Sequence, residues 1–185
     1  NIWKGFKEIK DSRGADKPDN KMDDWVMRNL PKNEMIKMIN KQSSREEVLK
    51  AVKVSGFFLF LASDKFGSDR EIVLNAVKTC GWALYKASDE LKGDREIVLN
   101  AVKCKKGFDG VILNTVADNF NDDREVIFEA VRRDGFALRY SSKDLKADRE
   151  IVLAAVKSDR VALQYASKDL QDDPELKEIF NAYHY

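Results

Sequence analysis

The segment Asp69-Arg-Glu-Ile-Val-Leu-Asn-Ala-Val-Lys78 occurs a second time, letter for letter, from Asp94 to Lys103. Variants of the same segment begin at Ser44, Asp123, Asp148 and, in a shorter form, Asp173. Successive starts lie 25 residues apart, except for an interval of 29 residues after Asp94. A fixed period of this length indicates a tandem repeat protein, in which each repeat packs on its neighbours. The full copies are numbered here as repeats 1 to 5, and they begin at Ser44, Asp69, Asp94, Asp123 and Asp148.

Each repeat is predicted to contain two short helices. The Asp or Ser that opens a repeat is a favoured N-cap, and Pro174 stands at the first helical position of the partial copy, where its missing N–H costs nothing. We expect the first helix to end at a glycine in the left-handed conformation. These glycines are Gly56, Gly81, Gly110 and Gly135. Arg160 takes that place in repeat 5, so a strained or differently built cap is expected there.

The first helix is apolar over most of its circumference. In repeat 2 only Glu71, Asn75 and Lys78 form a polar stripe, because they lie at helical spacing on one side. Such a helix must be covered by the previous repeat, the next repeat and its own second helix. One column is alanine in all five repeats, which indicates close helix approach: Ala51, Ala76, Ala101, Ala130 and Ala155. The sequence therefore predicts an all-α fold, a right-handed-type α-solenoid of about five 25-residue helix–turn–helix repeats over residues 44–185.

The repeats resemble a tandem α-helical repeat family that is catalogued as a domain of unknown function. The shared pattern is Asp-x-Glu-[Ile/Val]-Val-Leu-x-Ala-Val-x-x-x-Gly-x-Ala-Leu-x-Tyr-Ala-Ser-x-x-Leu, and the resemblance runs from about Ser44 to Phe180. Repeat 3 departs from it, because Asn114 and Thr115 replace the aromatic residue and residues 105–109 lengthen the turn. The resemblance implies an all-α repeat array and brings no catalytic residue with it.

The charge balance argues against a dedicated polyanion binder. Lys and Arg number 33 against 32 Asp and Glu, which leaves a net charge of +1. The longest uncharged stretch, Val54–Ser63, is too short to span a membrane, which takes about 20 residues. The chain begins with Asn1 instead of methionine, as it would after removal of a targeting peptide, a tag or a larger domain. We expect a soluble protein of a reducing compartment or an organelle interior.

Nothing in the sequence indicates catalysis. Cys80 and Cys104 are expected to be reduced, partly buried thiols, and His184 lies beside the C-terminal residue, so the chain offers no triad or metal cage. A nucleophile–base pair and a Gly-rich phosphate loop are also missing from the pattern. We therefore predict a protein that is not an enzyme and uses neither a cofactor nor a metal.

Candidate partner-binding residues lie where the repeat departs from itself. They are Trp3, Phe6, Phe60, Lys105, Lys106 and Phe108. Trp3 and Phe6 belong to an amphipathic segment, residues 1–10, that either docks on a partner, contacts an anionic membrane surface or folds back on the chain. Phe60 falls in a mostly polar column, so we expect the N-terminal capping segment, residues 1–43, to cover it through residues 35–39. The turn Cys104–Asp109 is either a partner contact or a tolerated insertion.

An arginine follows the opening residue of every full repeat. These are Arg45, Arg70, Arg95, Arg124 and Arg149. Arginine at the first helical position opposes the helix dipole, so a carboxylate partner in a neighbouring turn is expected. The alternative is a basic ladder that follows a phosphate backbone. Flanking Asp and Glu columns favour the ion pairs.

Three functions follow from these observations. The first is a non-enzymatic scaffold for protein–protein interaction, an accessory or peripheral subunit of a larger assembly, whether organellar or membrane-associated. The second is an RNA-binding helical repeat array, and the third is the targeting part of a longer enzyme. A protein partner is expected, and a nucleic acid is disfavoured by the charge pattern.

Overall fold

The structure is a computed structural model that describes residues 39–107 and 110–181. Helices and turns make up these two ranges, and no strand occurs within them, so the predicted all-α repeat array is confirmed. The described residues form two compact units, divided after residue 108, and each unit is described by itself. The predicted amphipathic segment and most of the capping segment lie outside the described residues. None of the described helices is long and apolar enough to cross a membrane.

The repeated segment forms the long α-helix of each repeat. Its opening residue is the N-cap: the Asp69 side chain accepts a hydrogen bond from the backbone N–H of Ile72, and Ser44 forms a reciprocal capping box with Glu47. In repeats 1 to 5 the long helices span Arg45–Val54, Arg70–Thr79, Arg95–Lys103, Arg124–Arg133 and Arg149–Ser158, and the partial copy contributes Pro174–Asn181.

The second helix of each predicted pair is a 3₁₀ helix. It spans Gly56–Phe60, Gly81–Lys86, Gly110–Thr115, Gly135–Tyr140 and Arg160–Tyr165 in repeats 1 to 5. A further short helical turn then leads into the next repeat: Asp64–Ser68, Asp89–Lys92, Ala117–Phe120, Leu145–Ala147 and Lys168–Gln171. Within each unit, long helices pack on neighbouring long helices and 3₁₀ helices on neighbouring 3₁₀ helices, so the core lies between these two layers.

The predicted left-handed glycine stop is wrong. The long helices end at extended residues, Ser55 and Cys80 at φ −153° and Asp134 at φ −145°, and the glycine that follows begins the 3₁₀ helix. Gly107, in the inserted turn, is the one described glycine with a positive φ, at 64°. An extended C-cap needs no glycine, so the glycine that repeats 1 to 4 share at this position must have another cause.

That cause is the close approach of the next repeat. A Cβ atom on Gly56 would lie 2.0 Å from the carbonyl oxygen of Ala76, and one on Gly135 would lie 2.4 Å from that of Ala155. The glycine of one repeat therefore faces the alanine column of the next, and the predicted close approach is confirmed. The expectation of a strained or differently built cap in repeat 5 is wrong, because Asp159 ends the long helix in the same extended conformation, at φ −147°. The difference lies in the contact that follows: Phe180 stands at the alanine position, and the Arg160 guanidinium donates to its carbonyl oxygen at 3.4 Å.

Backbone hydrogen bonds also join successive repeats. The N–H of Ser88 donates to the carbonyl of Gly67 at 2.8 Å, and Ser142 and Ser167 do the same to Asn121 and Lys146, at 2.7 and 2.8 Å. These bonds hold the short connecting turns in register. In the long helix of repeat 2, Ile72, Val73, Ala76 and Val77 are fully buried, as are Leu84 and Leu138 of the 3₁₀ layer.

Candidate functional site

The N-terminal ends of the long helices carry a ladder of ion pairs. The Arg45 guanidinium donates from Nε to Asp69 at 2.6 Å and from Nη2 to Glu71 at 2.7 Å. Asp69 and Glu71 are the N-cap and the second helical residue of the next repeat. Each arginine therefore binds two carboxylates at a helix N-terminus, where the helix dipole favours negative charge. The expected carboxylate partner is confirmed, and it lies in the neighbouring repeat.

The same rung recurs within both units. Arg70 binds Asp94 and Glu96 at 2.7 and 2.6 Å, Arg124 binds Asp148 at 3.0 Å together with Glu150, and Arg149 binds Asp173 at 3.4 Å together with Glu175. The guanidinium groups of Arg45 and Arg70 hold the pKa of the Asp69 and Asp94 carboxyls below the usual value. These arginines therefore face acidic partners before any outside ligand arrives.

A groove opens between the long helices of repeats 4 and 5, on the same exposed side as the ladder. Its volume is about 380 Å³. The residues that line it are Phe128, Arg132, Glu150, Leu153, Ala154, Lys157 and Ser158. Phe128, Leu153 and Ala154 are half-buried and form its apolar floor, whereas Arg132 and Lys157 are exposed at its rim.

The position of Ala154 varies among the repeats. The equivalent residues of repeats 1 to 4 are Lys50, Asn75, Asn100 and Glu129. The two asparagine amides fold along their own helices and donate to the carbonyls of Glu71 and Glu96, each at 2.8 Å. An alanine leaves this space open, and Phe128 supplies an aromatic ring where the equivalent residue of repeats 1, 2, 3 and 5 is leucine.

Two of the three charged side chains that line the groove are cations, Arg132 and Lys157. Glu150 lines it, but its carboxylate is engaged by Arg124. Arg132 makes a long contact of 3.7 Å with Glu129, and the guanidiniums of Arg124 and Arg132 lie 5.9 Å from the centre of the Phe128 ring. Lys157 forms no hydrogen bond or ion pair with any residue that the structure describes. Two cations therefore flank an apolar floor, and the one carboxylate that lines it is bound to an arginine.

The predicted partner-binding residues fall at separate places. Phe60 is half-buried, and its ring lies 5.5 Å from that of Phe57; of the residues expected to cover it, Ile39 is buried and the others lie outside the described residues. Trp3, Phe6 and Phe108 also lie outside them. Phe60, Lys105 and Lys106 are not among the residues that line the groove, and the sequence analysis did not predict the groove. The sequence signals nearest to it are Ala154 and Phe128, at positions that are asparagine and leucine in repeats 2 and 3.

The inserted turn folds onto its own repeat array. Lys105 and Lys106 expose their side chains, but the carbonyl of Lys106 accepts hydrogen bonds from the N–H of Gly81 at 2.9 Å and from the Cys104 thiol at 3.2 Å. A Cβ atom on Gly107 would lie 2.8 Å from the sulfur of Cys80, so the turn packs directly over that thiol. The backbone of the insertion is therefore held in place, and its two lysines project outwards.

The cysteines are buried and free. Burial raises the pKa of the Cys80 thiol to about 12, with a smaller contribution from Cys104, so Cys80 is a poor nucleophile at neutral pH. Within residues 39–107 and 110–181, no group of three or more His, Cys, Asp or Glu side chains is placed to hold a metal ion.

Comparison with known proteins adds the family. The model of a family described as a domain of unknown function, DUF4116, matches three overlapping or successive stretches, residues 44–85, 69–120 and 123–171. Neither the curated proteins nor the solved structures contain a match to the chain. The three matches cover most of the chain and coincide with the repeats that the ladder and the glycine–alanine contacts join. The chain therefore belongs to the DUF4116 family, of which it carries tandem copies.

Proposed function

We propose that this protein is a non-enzymatic scaffold for protein–protein interaction, acting as an accessory or peripheral subunit of a larger assembly. The observation that carries this proposal is the groove between repeats 4 and 5, an apolar recess of about 380 Å³ flanked by Arg132 and Lys157. Recesses that combine an apolar floor with a few charged groups are common anchor sites for partner side chains. Its position on the regular exposed face of a repeat array suits an extended partner.

The engaged arginines favour a protein partner over RNA. A phosphate backbone would have to displace the Asp69 and Glu71 carboxylates from Arg45, and the equivalent pair from Arg70, Arg124 and Arg149. The carboxylates released in this way would repel the polyanion. The ladder is therefore better suited to joining repeats than to following a nucleic acid.

Partner capture with the full chain tests the proposal. The tagged chain is expressed in its source cell, cross-linked, isolated with and without nuclease treatment, and analysed by native mass measurement. We expect one or more proteins in fixed ratio to the chain, retained after nuclease treatment. A chain recovered only as free monomer contradicts the scaffold function, and a complex lost on nuclease treatment supports the RNA-binding alternative instead.

A further inference from the structure

We propose that the groove between the long helices of repeats 4 and 5 binds an extended acidic peptide segment of a partner protein, with one aliphatic or aromatic side chain inserted between Phe128 and Leu153. This inference rests on the proposed scaffold function and specifies the chemistry of the partner. It depends on the shape of the floor, the charged side chains at the rim and the contacts of the Phe128 ring.

The floor fits a single apolar side chain. The volume of about 380 Å³ lies near the lower end of the range of ligand pockets, roughly 300–1,000 Å³. Phe128, Leu153 and Ala154 contribute ring, branched and methyl carbons to it, and all three keep part of their surface in contact with solvent. Covering that surface removes apolar area from water on both partners. A leucine or phenylalanine side chain with its adjoining backbone is an occupant of this size.

The rim favours acidic residues on either side of that anchor. Lys157 has no acidic partner among the described residues, and Arg132 approaches Glu129 only at 3.7 Å. Glu150, the one carboxylate among the lining residues, is bound to Arg124, so Lys157 is the charged lining residue that remains for an acidic segment. Complementary charge of this kind speeds association and selects against basic partners.

The ring arrangement disfavours a nucleobase. Single-stranded nucleic acids bind by stacking bases on open aromatic faces. The Phe128 ring is instead approached by two guanidiniums, from Arg124 and Arg132, each 5.9 Å from its centre. Two cations this close to one ring leave less room around it for a stacked base. The groove is therefore better suited to an apolar side chain than to a base.

The chain offers a filling substitution taken from its own repeats. In Ala154→Asn the new amide is expected to lie along the helix and donate to the carbonyl of Glu150, as Asn75 does to Glu71 at 2.8 Å. The variant should fold, because repeats 2 and 3 already carry this residue at the equivalent position. A second variant, Lys157→Glu, reverses the charge at the rim. Its matched control is Lys78→Glu, which reverses an exposed lysine of the same column in repeat 2.

The binding experiment uses the full chain and a fluorescein-labelled peptide in which aspartates flank one leucine. Anisotropy titrations compare it with a peptide whose leucine is serine, a peptide whose aspartates are lysines, and a labelled single-stranded RNA. We expect saturable binding of the first peptide only. Ala154→Asn and Lys157→Glu should each weaken it about tenfold or more, whereas Lys78→Glu should change it less than about twofold.

Several results would overturn the inference. They are no binding of the aspartate–leucine peptide, equal binding of the serine or lysine peptide, equal losses in Lys157→Glu and Lys78→Glu, and tighter binding of the RNA. The partner captured from the source cell separates this inference from the scaffold function. If Ala154→Asn and Lys157→Glu retain that partner in full, the scaffold function stands and the groove is not its site.

Discussion

Replacing Gly56 by alanine tests the close approach between repeats. The added Cβ would lie 2.0 Å from the carbonyl oxygen of Ala76, whereas an ordinary contact begins at 3.4 Å, so the repeats would have to separate by 1.4 Å. Overpacking of this kind costs about 1–3 kcal/mol. The same shift would break the 2.7 Å hydrogen bond from the Gly56 N–H to the Thr79 hydroxyl, and a buried donor without a partner costs about 1–3 kcal/mol more.

We therefore expect Gly56→Ala to lower the free energy of unfolding by about 2–6 kcal/mol, and the thermal midpoint by roughly 4–24 °C. Urea denaturation followed by circular dichroism measures the first quantity, and calorimetry measures the second. The control is Gly93→Ala. Gly93 is exposed and lies at φ −85°, ψ −6°, which alanine adopts freely, so the change should be neutral or stabilising by up to about 1 kcal/mol. Equal stabilities for the two variants would show that the glycine column does not reflect close approach.

Further predictions concern the ion pairs, the caps and the thiols. Arg70→Gln should lower the urea midpoint less than Gly56→Ala does, because the ion pair of this arginine is half-exposed. The difference in urea midpoint between Arg70→Gln and wild type should shrink between about 0.1 M and 1 M NaCl. A difference that persists at high salt would refute the ion-pair role. Because Arg70 holds the pKa of Asp94 below the unfolded value of about 3.9, its contribution to stability is present above that pH and lost as the pH falls through the folded pKa. The urea midpoint of wild type should consequently fall more steeply below about pH 4 than that of Arg70→Gln, and parallel curves would contradict this. Ser44→Ala removes a capping box and should cost about 1 kcal/mol, measured by urea denaturation, with no change in the ladder. Cys80 and Cys104 should react slowly with Ellman's reagent in the native protein and rapidly in urea. Fast labelling of the native protein would show that the two thiols are accessible to the reagent.

The repeat pattern accounts for how much of the fold was predictable. An Asp that precedes a charged first turn and an apolar run is a local signal, because the N-cap hydrogen bond forms within a single helix turn. The helix bounds at Arg70 and Arg95 follow directly from it. The spacing of the copies likewise shows that each arginine recurs at the same place relative to the next repeat's Asp. The sequence therefore predicted that each arginine would have a carboxylate partner, without identifying which one.

The glycine column shows where sequence reasoning stops. Glycine after a helix usually signals a left-handed cap, and the pattern alone cannot distinguish that use from a close contact with a distant carbonyl. Only the structure shows Gly56 against Ala76, 20 positions further along the chain. The 3₁₀ form of the second helix is similarly a result of packing, since its residues make up for poorer hydrogen-bond geometry by burying Leu84 and Leu138 in the shared core.

By itself, the sequence determined the all-α repeat architecture and its 25-residue period, and it predicted a carboxylate partner for the arginines, because helix caps, apolar columns and charge columns are local and repeat with the chain. Only the tertiary structure showed that the glycines contact the next repeat and where the groove lies. Ala154, Phe128 and Lys157 come from two helices, and a cavity between them is a property of the space that their side chains leave unfilled. A missing amide is visible in a sequence, but what its absence opens depends on the neighbour that faces it.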